Sequence, residues 1–143
     1  MCLKIRNGKT KPKVADSDIV CYKVLVPGMT CDTFYAPLFG HVYCLGTTDY
    51  IREDLFLDLC DDIASFGFHS FTYQADAFNF IGKLCEINRG NEDKYVVCQC
   101  TIPKGAKYYK GGHMFDINDV AMPPSYCSNT IRIDNVIEKN GTK

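Results

Sequence analysis

Nine cysteines and three histidines are the residues of this 143-residue chain best suited to chemistry. Thiolate and imidazole together make either a metal site or an activated nucleophile. Zinc sites announce themselves as C-x2-C or C-x4-C pairs repeated at a distance, and here the one close pair is Cys98 and Cys100. Two residues apart on a strand, these thiols share a face. They can hold an ion jointly or pack side by side between Val96 and Ile102, and without a second pair packing is the better reading. A catalytic thiol needs a base, for which His41, His69 and His113 are available, yet no local sequence singles out one cysteine. Phosphate-binding loops, an HExxH helix and a G-x-S-x-G elbow are missing from the sequence. Asp116 to Val120 carries three oxygen-bearing side chains without the spacing of a calcium loop, and reads as a turn. No catalytic or metal-ligating residue is therefore assigned.

Aromatic residues offer a different chemistry. Nine Phe and nine Tyr, with no Trp, gather at FGFHSFTY (residues 66–73) and KYYKGGHMF (residues 107–115). Rings interleaved with lysines near glycines can stack a nucleobase. The same residues can be core, with Phe66, Phe68 and Phe71 inward and Tyr108 and Tyr109 a half-buried strand pair.

The elements that must position these groups are mostly strands. Asp18 to Gly28 is continuously apolar apart from Lys23, which reads as a strand covered on both faces and ended by Pro27-Gly28. Short strands are expected at residues 40–46 and 67–71. Over Thr48 to Phe66, Ile51, Leu55, Leu59, Ile63 and Phe66 recur at helical spacing, although DLFLDL also alternates as a strand would. Thr72 is placed to cap a second helix that buries Ala77, Phe78, Ile81 and Cys85. Val96, Cys98, Cys100 and Ile102 alternate with Val97, Gln99 and Thr101 on a further strand. A Gly111-Gly112 turn and an irregular segment through Pro123-Pro124 then lead to a last strand at residues 129–138. The expected class is α+β: a mostly antiparallel sheet with about two flanking helices, in one domain over residues 1–143.

Composition agrees with a globular chain: 46% hydrophobic and 23% charged residues, and a net charge of −1. Nothing in this balance gives the basic excess that duplex binding requires. The charge is uneven, however. Lys4, Arg6, Lys9, Lys11 and Lys13 make residues 1–15 a basic, flexible arm, and Asp49, Glu53, Asp54, Asp58, Asp61 and Asp62 form an acidic block. No apolar stretch is long enough to cross a membrane, and no secretion signal is visible. The cysteines, odd in number and set in apolar runs, read as thiols in a reducing, cytoplasmic setting.

Three segments in order carry a resemblance: VCYKVL (20–25), GFHSFTYQADAF (67–78), and CTIPKGAKYYKG with YCSNTIRI (100–111 and 126–133). Together they resemble a group of small proteins of bacteriophages and gut bacteria, which carries no assigned activity. That resemblance implies a phage setting, hence a host cytoplasm. GFHSFTYQADAFNFI and VVCQCTIPKGA are also similar to pieces of ADP-ribosyltransferase-type folds. The likeness implies a pocket for NAD or a related nucleotide, with Tyr22 or Lys23 at the first contact and His69, Ser70, Phe71 and Tyr73 lining it. The Arg or His usual at the first position is not there, nor is a Glu on a late strand; Glu138 lies at the far end. The expectation is thus a non-catalytic accessory protein that binds a nucleotide-like ligand or a host protein. An ADP-ribosyltransferase-like enzyme and a virion component are the alternatives.

Overall fold

Runs of β-branched, aromatic and cysteine residues broken by short turns leave few places for helix, and every strand pairing among the described residues is antiparallel. The computed structural model describes residues 2–4, 11–37, 41–57, 59–60, 63–64, 66–88, 94–114 and 123–137. Among these the elements begin with β1 (Cys2–Lys4), β2 (Lys13–Val14), β3 (Ile19–Pro27), β4 (Thr33–Tyr35), β5 (Val42–Cys44) and β6 (Thr48–Tyr50). There follow α1 (Glu53–Phe56), β7 (Leu59–Cys60), β8 (Ile63–Ala64), β9 (Phe68–Phe71) and α2 (Gln74–Asn88). The last four are β10 (Val96–Ile102), β11 (Lys107–Met114), β12 (Pro124–Ser128) and β13 (Thr130–Ile137). The class is α+β with a mostly antiparallel sheet, as composition and patterning imply.

The strands lie in the order β6-β13-β10-β3-β9-β12-β11-β1-β8-β7, with β2 added to β11. The end of β3 also pairs with β4, and β4 with β5. This second, smaller sheet folds over the first: Phe34 and Tyr43 are cross-strand partners, and both pack into the main core. Because strand side chains alternate, each strand serves two cores. Cys21 and Leu25 of β3, Cys98, Cys100 and Ile102 of β10, Phe68, Tyr126, Ile131 and Ile133 fill the inner face. On the other face Val24, Val97 and Phe71 meet Ala77, Phe80, Ile81 and Leu84 of α2. A third cluster joins Leu3, Phe56, Ala64, Tyr109 and Cys127.

Four departures from expectation have physical causes. Thr48 to Phe66 is not a continuous helix. Thr48–Tyr50 pairs with β13, and Leu59–Cys60 with Ile63–Ala64, leaving one helical turn that buries Phe56. Pairing along the exposed edge of β13 outweighs the local helical spacing. Asp58, Asp61 and Asp62 of the acidic block lie outside the described residues. Gly111 and Gly112 do not turn but continue β11, opposite Ser125 and Pro124, and the chain pairs again from Pro124 onward as β12. Thr72 precedes α2, yet its hydroxyl is buried without a hydrogen-bond partner, so it does not cap. Of the expected arm, Leu3 is wholly buried and β1 and β2 both pair with β11.

Gly67 immediately precedes β9 with φ +141°, where a Cβ would stand 2.5 Å from Cys127 Sγ and 3.1 Å from the Ser128 carbonyl. Gly67→Ala should lower the unfolding free energy by about 2 kcal/mol, from backbone strain and overpacking together. Urea titration of the two proteins reads that loss directly.

Candidate functional site

Strand alternation decides which of the sequence-selected residues can meet. Tyr22 pairs with Phe71, and both face α2. Lys23 and Ser70, one step along in the antiparallel register, face the inner side. His69 lies between them in the chain but points the other way from Ser70. Tyr73 stands exposed just ahead of α2. The six residues therefore separate into Lys23 with Ser70, Tyr22 with Phe71, and His69 and Tyr73 apart. Phe66, read as a core candidate, is 45% exposed, whereas Phe68 and Phe71 are core.

The inner face continues the Lys23–Ser70 pair across neighbouring strands. Ser70 of β9 is opposite Tyr126 of β12, and Tyr126 is opposite Lys110 of β11. Lys23, Ser70, Tyr126 and Lys110 thus form one row on four adjacent strands, about 14 Å from end to end at the usual strand spacing. A second row holds Phe68, Ser128 and Tyr108, with Lys13 of β2 opposite Tyr108. Tyr108 and Tyr126 stand edge to face with centroids 5.7 Å apart, and the Lys110 ammonium lies 5.8 Å from the Tyr126 ring. Burial raises the Tyr108 phenol above its ordinary pKa, so the hydroxyl stays protonated.

Lys23 occupies the deep end. It is only 7% exposed, and its ammonium donates to the His69 carbonyl while lying 5.4 Å from the Tyr43 ring centre. Tyr43 in turn packs edge-on to Phe68 and to His41, which is exposed and within 3.4 Å of the Asp49 carboxylate. Among the described residues no carboxylate comes within ion-pair distance of Lys23. Its charge acts on the thiols of Cys21, Cys98 and Cys100, and the Asp134 carboxylate also acts on Cys21 and Cys100. Burial pushes Cys21 and Cys98 up to about 12, and Cys100 well above its ordinary value, even though the Lys23 charge opposes the shift. The thiols are neutral, too basic to serve as nucleophiles near pH 7, and cannot balance the ammonium. The Ser70 hydroxyl, on a residue 2% exposed, has no nitrogen or oxygen partner and contacts the Cys21 thiol instead.

His69 is engaged elsewhere. Its Nε2 lies 3.1 Å from the Ala64 carbonyl, which can only accept, so Nε2 carries the proton. Burial, aided by the Lys23 charge, lowers its pKa to about 4. A neutral imidazole tied to backbone ties β9 to β8. Among the described residues no three His, Cys, Asp or Glu side chains gather where a metal ion could be held.

Sequence reasoning selected Lys23 and Ser70 but not their row partners Tyr126 and Lys110. The alternation of Tyr108 and Lys110 along β11 was visible; which strand would lie beside it was not. The thiols give a direct check. Cys31 and Cys44 are exposed, while Cys21, Cys98, Cys100 and Cys127 are buried. Peptide-level mass spectrometry after a short iodoacetamide pulse should find the exposed pair alkylated at least about 100-fold faster than the buried four.

No protein-family model, no curated protein and no solved structure matches this chain. The likeness to ADP-ribosyltransferase-type folds accordingly gains no support from any known structure.

Proposed function

We propose that this chain is a non-catalytic binding protein for a nucleotide-like ligand, held on the inner sheet face between Lys23 and Lys110. The observation that carries this reading is the row itself: two ammonium groups, a hydroxyl and the Tyr126 ring on one face of four adjacent strands, with the Tyr108 ring beside it in the next row. Rings receive a base by stacking, and lysines attract the charge of a phosphate. The groups that would do covalent chemistry are occupied or protonated, since His69 is neutral and hydrogen-bonded to backbone and the neighbouring thiols are neutral. A phage-type, cytoplasmic accessory role rests on the resemblance of residues 20–25, 67–78, 100–111 and 126–133 and on the unbridged thiols.

Isothermal titration with NAD, ADP-ribose and cyclic nucleotides tests the proposal. Binding of at least one, weakened about tenfold or more by Lys110→Ala, is the expected result; no heat with any of them removes it. Incubation with labelled NAD and a bacterial lysate addresses the enzymatic alternative, for which labelled product would be decisive.

A further inference from the structure

Buried charges in folded chains are paired, and an ammonium has three donors to satisfy. Lys23 gives one of them to the His69 carbonyl, lies against one ring, and has no carboxylate within reach among the described residues. One strand away stands a second incompletely used group, the buried Ser70 hydroxyl, which among the described residues has the Cys21 thiol beside it but no oxygen or nitrogen partner. A cation lacking a counter-charge beside a hydroxyl able to donate is complementary to a small anion carrying oxygen acceptors. The opposite end of the row is different in kind: Tyr108 and Tyr126 with Lys110 above the ring, which suits a flat group.

We infer that Lys23 and Ser70 form an oxyanion subsite, taking the phosphate or carboxylate of the bound ligand as the counter-ion of the buried ammonium. This rests on the ligand-binding reading above and adds to it a polarity: anion at the β3–β9 end, ring system toward β11. The shared chemistry of phosphate and carboxylate is two or three oxygens that accept from one ammonium and one hydroxyl. No bond is made or broken, and Ser70 remains a donor throughout. Tyr43 bounds the subsite at the Lys23 end, its ring 5.4 Å from the ammonium.

Small anions test the subsite without the rest of a ligand. At equal ionic strength, inorganic phosphate or acetate in place of chloride should raise the Tm of the full chain by about 2 °C or more. That rise should vanish in Lys23→Met and shrink in Ser70→Ala, with circular dichroism confirming that both variants are folded. The larger shift, from phosphate or from acetate, identifies which oxyanion the ligand carries. In titrations, AMP should bind at least about tenfold tighter than adenosine to the native chain, and equally to Lys23→Met. No anion-specific shift in the native chain, or the same shift in Lys23→Met, overturns the inference. Adenosine binding without any preference for AMP would overturn it while leaving the ligand-binding reading intact; a phosphate shift with no nucleotide binding would do the reverse.

Discussion

Replacing Lys23 by Met should leave the fold intact and raise the unfolding free energy by about 1–4 kcal/mol, measured by urea titration at pH 7 without added phosphate. Two effects oppose each other at this position. The ammonium donates a charge-assisted hydrogen bond to the His69 carbonyl, worth about 1.5–3 kcal/mol, and gains a contact with the Tyr43 ring worth about 1 kcal/mol. Against this stands the desolvation of an ion on a residue 7% exposed, several kcal/mol in a folded chain when no opposite charge accompanies it. Met fills a similar volume, can still pack against the Tyr43 ring, and removes the charge. It leaves the His69 carbonyl without that donor, a loss smaller than the ion's desolvation. Lys23→Glu makes the contrast sharp. A carboxylate there would face the same carbonyl and ring with nothing to donate, and should cost about 3–5 kcal/mol. If Lys23→Met were as destabilising as Lys23→Glu, the lysine would be a structural bridge between β3 and β9, and its retention would say nothing about a ligand.

What could be read in the sequence follows from how far apart the cooperating residues are. Val96, Cys98, Cys100 and Ile102 show their alternation within seven residues and share one core face of β10, but the alternation implies one buried face, whereas Val97 and Thr101 on the other side are buried too. The apolar run of β3 is likewise covered on both sides, with Lys23 as the one charged residue inside it. The helical spacing from Ile51 to Phe66 misleads because it is local, whereas the pairing of Thr48–Tyr50 with β13 is made by residues 80 to 84 positions later. The same limit applies to the site. Tyr22 with Lys23, and His69 with Ser70, are neighbours in sequence and suggest one pocket. Period-two alternation sends each pair to opposite faces. The partners that Lys23 and Ser70 acquire, Tyr126 and Lys110, come from β12 and β11, which follow β9 across the sheet although α2 and β10 intervene in the chain. Only the registers Tyr22 with Phe71, Ser70 with Tyr126 and Tyr126 with Lys110 assemble the row.

Those registers also explain why β9 is the element on which the site depends. It meets β3 at the single pair Tyr22–Phe71, while its other edge is paired with β12 at four positions. Among the side-chain contacts that reinforce it are Lys23 to the His69 carbonyl from the inner face, and the His69 imidazole to the Ala64 carbonyl of β8 from the other. One carries charge that the core tolerates poorly, and the other is held neutral by burial. The strand that presents Ser70 is thus fixed in part by a histidine whose protonation state matters.

His69 makes that dependence measurable. Its imidazole titrates at about 4 in the folded chain, against 6.5 for an unperturbed side chain. Between those values the unfolded chain binds a proton that the folded chain refuses, so unfolding is increasingly favoured as pH falls. The stabilisation is complete above pH 6.5, is lost progressively down to about pH 4, and levels off below. Each pKa unit corresponds to about 1.4 kcal/mol, so the window spans about 3 kcal/mol. Urea unfolding free energies collected from pH 8 to pH 4 should therefore decline with a component approaching one proton between pH 6 and 4.5. His69→Gln isolates that component. Glutamine carries an Nε2–H₂ that can still donate to the Ala64 carbonyl, and it has no charge to gain. Carboxylates contribute equally to both proteins and cancel in the difference. The variant should therefore be less pH-sensitive by about 3 kcal/mol across the window. Equal slopes for the two proteins would mean that the imidazole protonates in the folded state, and that β9 is not held by a buried neutral histidine.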